Sequence, residues 1–172
     1  EELSVKSTTL LRNGRRHAMG DFATGKVQSD VELITGAPAL VVAKLETKAP
    51  ELFAQLAATG GATDEEKLQQ LPLSLAAFLR LHDGAWQCYE YQLLPLAQIG
   101  AGSHGLCIAA HLFDEGDTLC IGADGGLVAA CADGSATLVG SNTDEYLIKF
   151  FREVTSGKLE YTDPGWAEVG GA

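Results

Sequence analysis

The stretch DTLCIGADGGLVAACADGSATLV, residues 117–139, consists of three apolar segments separated by Asp124-Gly125 and Asp133-Gly134. An Asp-Gly pair between apolar segments is a strong signal for a β-hairpin turn, because both residues tolerate a positive φ. We therefore predict three consecutive antiparallel strands joined by two tight turns.

Two-residue turns would also fix the register of these strands. Ile121 would then lie opposite Val128, and Ala129 opposite Leu138. Both faces of the meander are apolar in this register, and a sheet of that kind has to be covered on both faces. The stretch therefore predicts an α+β fold in which helices pack on a central antiparallel sheet.

Helical patterns lie on both sides of the predicted strands. Pro50 suits a first helical turn, and a second helix is expected from the capping-box spacing of Thr63 and Glu66. A third helix over residues 74–81 ends at His82-Asp83-Gly84, where glycine can terminate it. The final helix is expected to begin with Ser141 as its cap and to end near residue 157.

These patterns divide the chain into three parts. Residues 1–40 carry scattered glycines without clear periodicity and are expected to form an arm or extra strands. Residues 41–157 form the α+β domain. Residues 158–172 form a tail in which Trp166 is either a docked anchor or part of a loose end.

The composition favours one core and a cytoplasmic location. The chain has 172 residues, of which 46% are hydrophobic, and a formal net charge of −11. No apolar run approaches the roughly 20 residues of a membrane helix, so we expect no membrane association. The four cysteines lack the paired spacing of a zinc site and the density of a disulfide scaffold, as expected in a reducing compartment.

Charge is distributed unevenly along the chain. Between Arg80 and Lys149 there is no lysine or arginine, while nine carboxylates are present. Clustered negative charge accelerates encounter with a basic partner and repels nucleic acid and anionic membrane. The alternative is an acidic surface that serves only solubility.

Two groups of residues resemble metal or catalytic sites but have simpler explanations. His82-Asp83 matches the dyad of metal-dependent phosphohydrolases, yet it lies at a predicted helix end. His104, Cys107 and His111 have a spacing that would align zinc ligands on a helix, but a buried strand would separate them. No phosphate-binding glycine loop is present. We therefore predict no metal, no cofactor and no catalytic residue.

The order of several short motifs resembles the SUKH superfamily. The motifs are Ala49-Pro50-Glu51-Leu52, Leu71-Pro72, Phe78-Leu79 before His82-Asp83-Gly84, and Leu93-Leu94-Pro95-Leu96. The likeness covers residues 44–155, although the segment over residues 100–105 is short and Gly122-Ala123 stands where an acidic residue is common. The resemblance implies an α+β fold and a non-enzymatic role. Many bacterial members look like immunity proteins that neutralise toxins, and fungal members act in signalling.

Our hypothesis is an immunity protein, or antitoxin, whose acidic surface covers the active site of a cognate toxin with a basic surface. The alternatives are an intracellular scaffold like the fungal relatives and, less favoured, a metal- or cysteine-dependent enzyme. Large aromatic residues with a polar edge are enriched at interface centres, although partial burial explains them equally simply. The predicted partner-binding residues are Asp83, Trp86, Tyr89, Glu90, Asp114, Glu115 and Asp117.

Overall fold

The computed structural model describes residues 36–162 and 165–170. Its helices pack on an antiparallel sheet, so the predicted α+β class is confirmed. The helices are α1 (residues 36–48), α2 (Pro50–Ala57), α3 (Glu65–Leu68), α4 (Leu73–Leu81) and α5 (Thr143–Thr155), with a 3₁₀ turn at Leu96–Gln98. The predicted N-terminal arm lies outside the described residues, except for residues 36–40, which are helical.

The strands of the described residues form one large sheet and one separate hairpin. They are β1 (Gln87–Cys88), β2 (Tyr91–Leu93), β3 (Gly100–Gly102), β4 (Gly105–His111), β5 (Thr118–Ile121), β6 (Leu127–Ala130), β7 (Ala136–Gly140), β8 (Leu159–Thr162) and β9 (Gly165–Glu168). The large sheet has the order β1-β2-β4-β5-β6-β7, and β3 pairs with β4 beside β2. Every pairing is antiparallel, and β5 to β7 form the predicted three-stranded meander, which follows β4 in the sheet.

The two hairpin turns are one residue longer than predicted. Gly122 donates its backbone N–H to Gly126 across 2.8 Å, so the loop holds three residues and ends at Gly125, with φ of +86°. The second turn repeats this geometry around Gly134, with φ of +88°. These are the features of a type I turn followed by a glycine bulge. As a result, the predicted register is wrong by one residue, and Ile121 lies opposite Leu127 instead of Val128.

The corrected register changes which residues share a face of the sheet, and the covering of the meander differs between its strands. Leu119 and Leu127 lie on one face of the sheet and are fully buried. Strand β7 is the last strand of the sheet, and its Leu138 and Val139 are 65% and 42% exposed. The expectation that the whole meander is covered on both faces is therefore wrong for β7.

Side-chain caps and a buried aromatic core hold the helices in place. Asp64 caps α3 and Asn142 caps α5, each one residue after the predicted cap. The Asp144 carboxylate in the first turn of α5 accepts hydrogen bonds from the backbone N–H and the hydroxyl of Ser74, and so joins α5 to α4. Phe150 of α5 is completely buried. The helices therefore form a firm support for the sheet.

The C-terminal segment is docked onto this core. Its two strands, β8 and β9, form an antiparallel hairpin that the sequence patterns did not predict. Trp166 donates its indole N–H to the Gln87 carbonyl across 2.9 Å and contacts the Phe150 ring edge-on, with a centroid distance of 5.3 Å. Trp166 is thus the docked anchor, the first of the two expected alternatives.

Candidate partner-binding site

The turn between β1 and β2 is held in an unusual backbone conformation. Tyr89 has φ of +54°, which is uncommon for a residue with a side chain. Its hydroxyl donates to the Glu153 carboxylate across 2.7 Å, and its ring packs against Tyr146 and Phe150, both with centroid distances of 5.2 Å. These contacts offset the backbone strain, and they fix the position of the next residue, Glu90, whose side chain is 68% exposed.

A groove of about 400 Å³ opens beside this turn, between β2, the end of β7 and the first half of α5. Three tyrosines provide its aromatic walls, namely Tyr89, Tyr91 and Tyr146. Glu90 and Glu145 place negative charge along it, and Lys149 is the positively charged residue of the lining. The lining therefore combines aromatic surface with a formal charge of −1 (two carboxylates and one ammonium).

The groove tyrosines remain protonated at neutral pH. Burial raises the pKa of Tyr146 well above its ordinary value, and the nearby Cys88, Tyr91 and Glu90 raise it further. The pKa of Tyr91 is also raised, first by burial and then by the surrounding acidic groups. Both hydroxyls are therefore neutral, and their rings are uncharged surfaces next to carboxylates.

His111 connects the β1–β2 turn with the loop between β4 and β5. Its Nδ1 accepts the backbone N–H groups of Phe113 (3.2 Å) and Asp114 (2.9 Å), which places the proton of the neutral ring on Nε2. That nitrogen lies 3.4 Å from the Glu90 carboxylate, and the ring contacts Tyr91 edge-on. The backbone adds a bond from Leu112 N–H to the Glu90 carbonyl, at 2.8 Å. Turn and loop therefore form one connected unit.

We use the term acidic rim for Glu90, Asp114, Glu115 and Asp117, which this unit brings to one end of the sheet. Asp114 and Glu115 are exposed. The Asp117 carboxylate accepts the Ala132 N–H across 2.8 Å, so it also holds the β6–β7 turn in place. The rim thus contains four of the seven residues predicted from the sequence, and Tyr89 lies in the groove beside it.

Asp83 and Trp86, the remaining two predicted residues, lie at the other end of the β1–β2 hairpin. Trp86 is only 1% exposed, and its indole N–H donates to the carbonyls of Phe78 (2.8 Å) and His82 (3.1 Å) at the end of α4. Asp83 accepts the Leu96 N–H across 2.6 Å. A buried ring offers no contact to a partner, so Trp86 is a core residue and its assignment as a partner-binding residue is corrected. Asp83 serves the fold and does not belong to the rim.

Sequence patterns missed Tyr146, Glu145 and the bridging role of His111. Tyr146 and Glu145 precede the apolar stripe of α5, and they line the same groove as Tyr89 and Tyr91 only because α5 lies beside a hairpin more than fifty residues earlier. Local periodicity in the sequence does not predict packing between segments that lie so far apart. The available signal for His111 was its position next to an acidic loop, at the end of a predicted strand.

The described residues include no cluster of three or more histidine, cysteine or carboxylate side chains suited to a metal ion. His82 lies at the end of α4, with its Nδ1 2.8 Å from the Thr59 carbonyl, and Cys107 and His111 lie on strand β4. Both segments therefore have the backbone structures predicted for them. Within the part of the chain that the structure describes, no helix is long and apolar enough to span a membrane.

The chain matches no protein-family model, and no curated protein matches it significantly.

Proposed function

We propose that this chain is an immunity protein, which binds a cognate toxin with a basic active-site surface and neutralises it by covering that surface. The observation that carries the proposal is the position of the acidic rim beside the tyrosine groove. All of their residues except Lys149 of the groove lie within residues 81–148, which contain no lysine or arginine. The role is non-catalytic.

The acidic rim supplies long-range attraction. Carboxylates at the edge of an interface raise the association rate with a positively charged partner and suppress association with negatively charged ones. Glu90 and Asp114 lie 3.4 Å from His111, but their side chains are 68% and 69% exposed, so they remain hydrated and accessible to cationic groups. Such exposed charges add little to the stability of the fold, which is consistent with a role in encounter.

The groove supplies short-range contacts. Tyrosines are enriched at the centres of interfaces because they bury a large area at low entropic cost and keep a polar edge. Their ring faces also attract lysine and arginine side chains, most strongly where water is excluded. A basic side chain that enters the groove would meet tyrosine rings together with Glu90 or Glu145.

Rigidity of the site supports tight binding. The Tyr89 hydroxyl, the His111 ring and the Asp117 carboxylate each hold a loop through hydrogen bonds. A surface that is already ordered loses less conformational entropy when a partner binds. The resemblance of the motif order to SUKH immunity proteins agrees with this proposal but does not specify the toxin.

Affinity capture from the native host tests the proposal, with three forms of the chain used in parallel. These are the wild type, Glu90→Lys in the rim, and Glu46→Lys on the exposed side of α1, which has the same change in charge. We expect a basic protein that the wild type and Glu46→Lys capture and that Glu90→Lys loses. That protein should be a toxin encoded by the neighbouring gene and should lose its activity in the complex. Equal capture by all three forms, or capture of acidic proteins only, would refute the proposal.

A further inference from the structure

Strand β7 has an outer edge that no strand occupies within the described residues. Residues 136–139 are all exposed, and Leu138 and Val139 expose 65% and 42% of their surface. The inner edge of β7 pairs with β6 in regular register from Ala136 to Leu138 and again at Gly140, with a bulge at Val139. Among residues 36–162 and 165–170, the strand is thus paired on one side and unpaired on the other.

The register identifies the free backbone groups. Cys131 donates its N–H to the Ser135 carbonyl, so this pair is hydrogen-bonded at the turn. Hydrogen-bonded and non-hydrogen-bonded pairs alternate along an antiparallel ladder. Thr137 therefore bonds to β6, whereas Ala136 and Leu138 are in non-hydrogen-bonded pairs. Their N–H and C=O groups point outward, which gives two donors and two acceptors for an incoming strand.

Apart from the bulge at Val139, this edge lacks the features that protect edge strands against strand addition. Natural edge strands carry lysine, proline or inward-pointing charges that prevent pairing with other chains. None of these stands in the sequence of β7, which is Ala-Thr-Leu-Val-Gly. An open, apolar and uncharged edge is a template for an extended segment of another protein.

We infer that β7 accepts an extended, lysine- or arginine-containing segment of the partner as an additional strand of the sheet. The inference rests on the proposed function, since it specifies how the basic partner is held. The acidic residues near β7 indicate which kind of segment would pair with its edge. Asp133 lies in the turn before β7, and the two carboxylates Glu90 and Glu145 outnumber Lys149 in the groove that the end of β7 also lines. A second copy of this chain, with its own charge of −11, would bring acidic groups against each other.

The edge and the groove are continuous, since Val139 and Gly140 of β7 line the groove. A strand added to β7 would therefore pass directly beside the acidic and aromatic surface. Its backbone would bond to Ala136 and Leu138, while its cationic side chains would be close to Glu145. Backbone pairing supplies affinity in such complexes, and the side-chain pockets supply specificity.

Amide hydrogen exchange in the presence of a synthetic peptide tests the inference. The probe is acetyl-Lys-Thr-Val-Lys-Val-Thr-Lys-amide. The control peptide has the same sequence, with N-methyl groups on two adjacent central residues, so that neither of its edges can pair normally. At saturating probe we expect exchange of the Ala136 and Leu138 amides to slow at least about tenfold, while Thr137, already bonded to β6, changes little. The methylated peptide should give no such protection.

The outcomes separate this inference from the proposed function. If both peptides bind the rim with the same salt dependence and neither protects Ala136 or Leu138, the edge inference is wrong and the acidic docking surface stands. If neither peptide binds at low salt, both are wrong.

Leu138→Pro removes an outward N–H and leaves the bonds to β6, so it should abolish protection. A wild-type dimer that this substitution dissociates would show instead that the edge serves self-association.

Discussion

The two ends of the β1–β2 hairpin contain the same residue types and use them in opposite ways. At the open end, Trp86 is buried and bonds to the last carbonyls of α4, and Asp83 holds the Leu96 backbone. At the closed end, Tyr89 and Tyr91 line a groove and Glu90 is exposed. The comparison shows that residue type alone does not place a residue on a binding surface, because burial and position in the hairpin decide whether its side chain is available to a partner.

Removal of the Trp86 side chain should give the largest effect on stability. Trp86→Ala leaves a large cavity and removes the indole donor from the carbonyls of Phe78 and His82, so we expect the free energy of unfolding to fall by about 4 kcal/mol. Urea denaturation followed by circular dichroism measures this change. A loss below about 1 kcal/mol would show that the open end is not a structural region, and the contrast between the two ends would fail.

Asp83 should give a smaller loss of the same kind. Asp83→Ala leaves the nearly buried Leu96 N–H without an acceptor, and we expect a cost of about 2 kcal/mol in the free energy of unfolding. Asp83→Asn keeps an acceptor oxygen and should retain most of that stability. Equal losses for the two variants would mean that the negative charge of Asp83, and not its hydrogen bond, matters.

Tyr89 links the closed end to α5 and should have a modest, pH-dependent effect. Tyr89→Phe removes one hydrogen bond to a carboxylate, so we expect a loss of about 1 kcal/mol at pH 7. Lys158 and then Tyr89 hold the pKa of Glu153 below its ordinary value of 4.5. This contribution is present above that value and is lost as the pH falls through the lowered folded-state pKa.

The pH dependence of unfolding therefore provides the measurement for Tyr89. The wild type should lose stability as the pH falls below about 4.5, and Tyr89→Phe should lose less over the same interval because one of the two bonds to Glu153 is already absent. Identical pH profiles for the two proteins would contradict the assigned role of the Tyr89 hydroxyl.

Glu90 should have the smallest effect on stability. Its carboxylate is exposed and lies 3.4 Å from a histidine that already has other partners, so Glu90→Gln should change the free energy of unfolding by less than about 0.5 kcal/mol. Denaturation in urea, side by side with Asp83→Ala, provides the comparison. A loss as large as that of Asp83→Ala would place Glu90 among the structural residues and would remove it from the acidic rim.

The sequence predicted the α+β class and the meander because Asp-Gly pairs and apolar segments are local signals. It did not predict the three-residue loops, since Asp-Gly fits loops of either length and the difference lies in a single backbone bond at Gly122. Four acidic residues of the rim were predicted from charge. Trp86 was misassigned because its burial depends on α4, and Tyr146 was missed because its ring contact with Tyr89 depends on the packing of α5.

The association rate with the captured basic partner, measured against ionic strength, is the most direct test of the central claim that the acidic rim guides binding. Stopped-flow mixing of the wild type, Glu90→Lys and Glu46→Lys over about 20 to 500 mM salt gives the three curves. We predict that the wild-type rate falls by about tenfold or more as salt rises, and that Glu90→Lys is much slower at low salt. Glu46→Lys should follow the wild type closely, and all three should converge at high salt. A wild-type rate that does not depend on salt, or equal slowing by the two lysine variants, would contradict the claim.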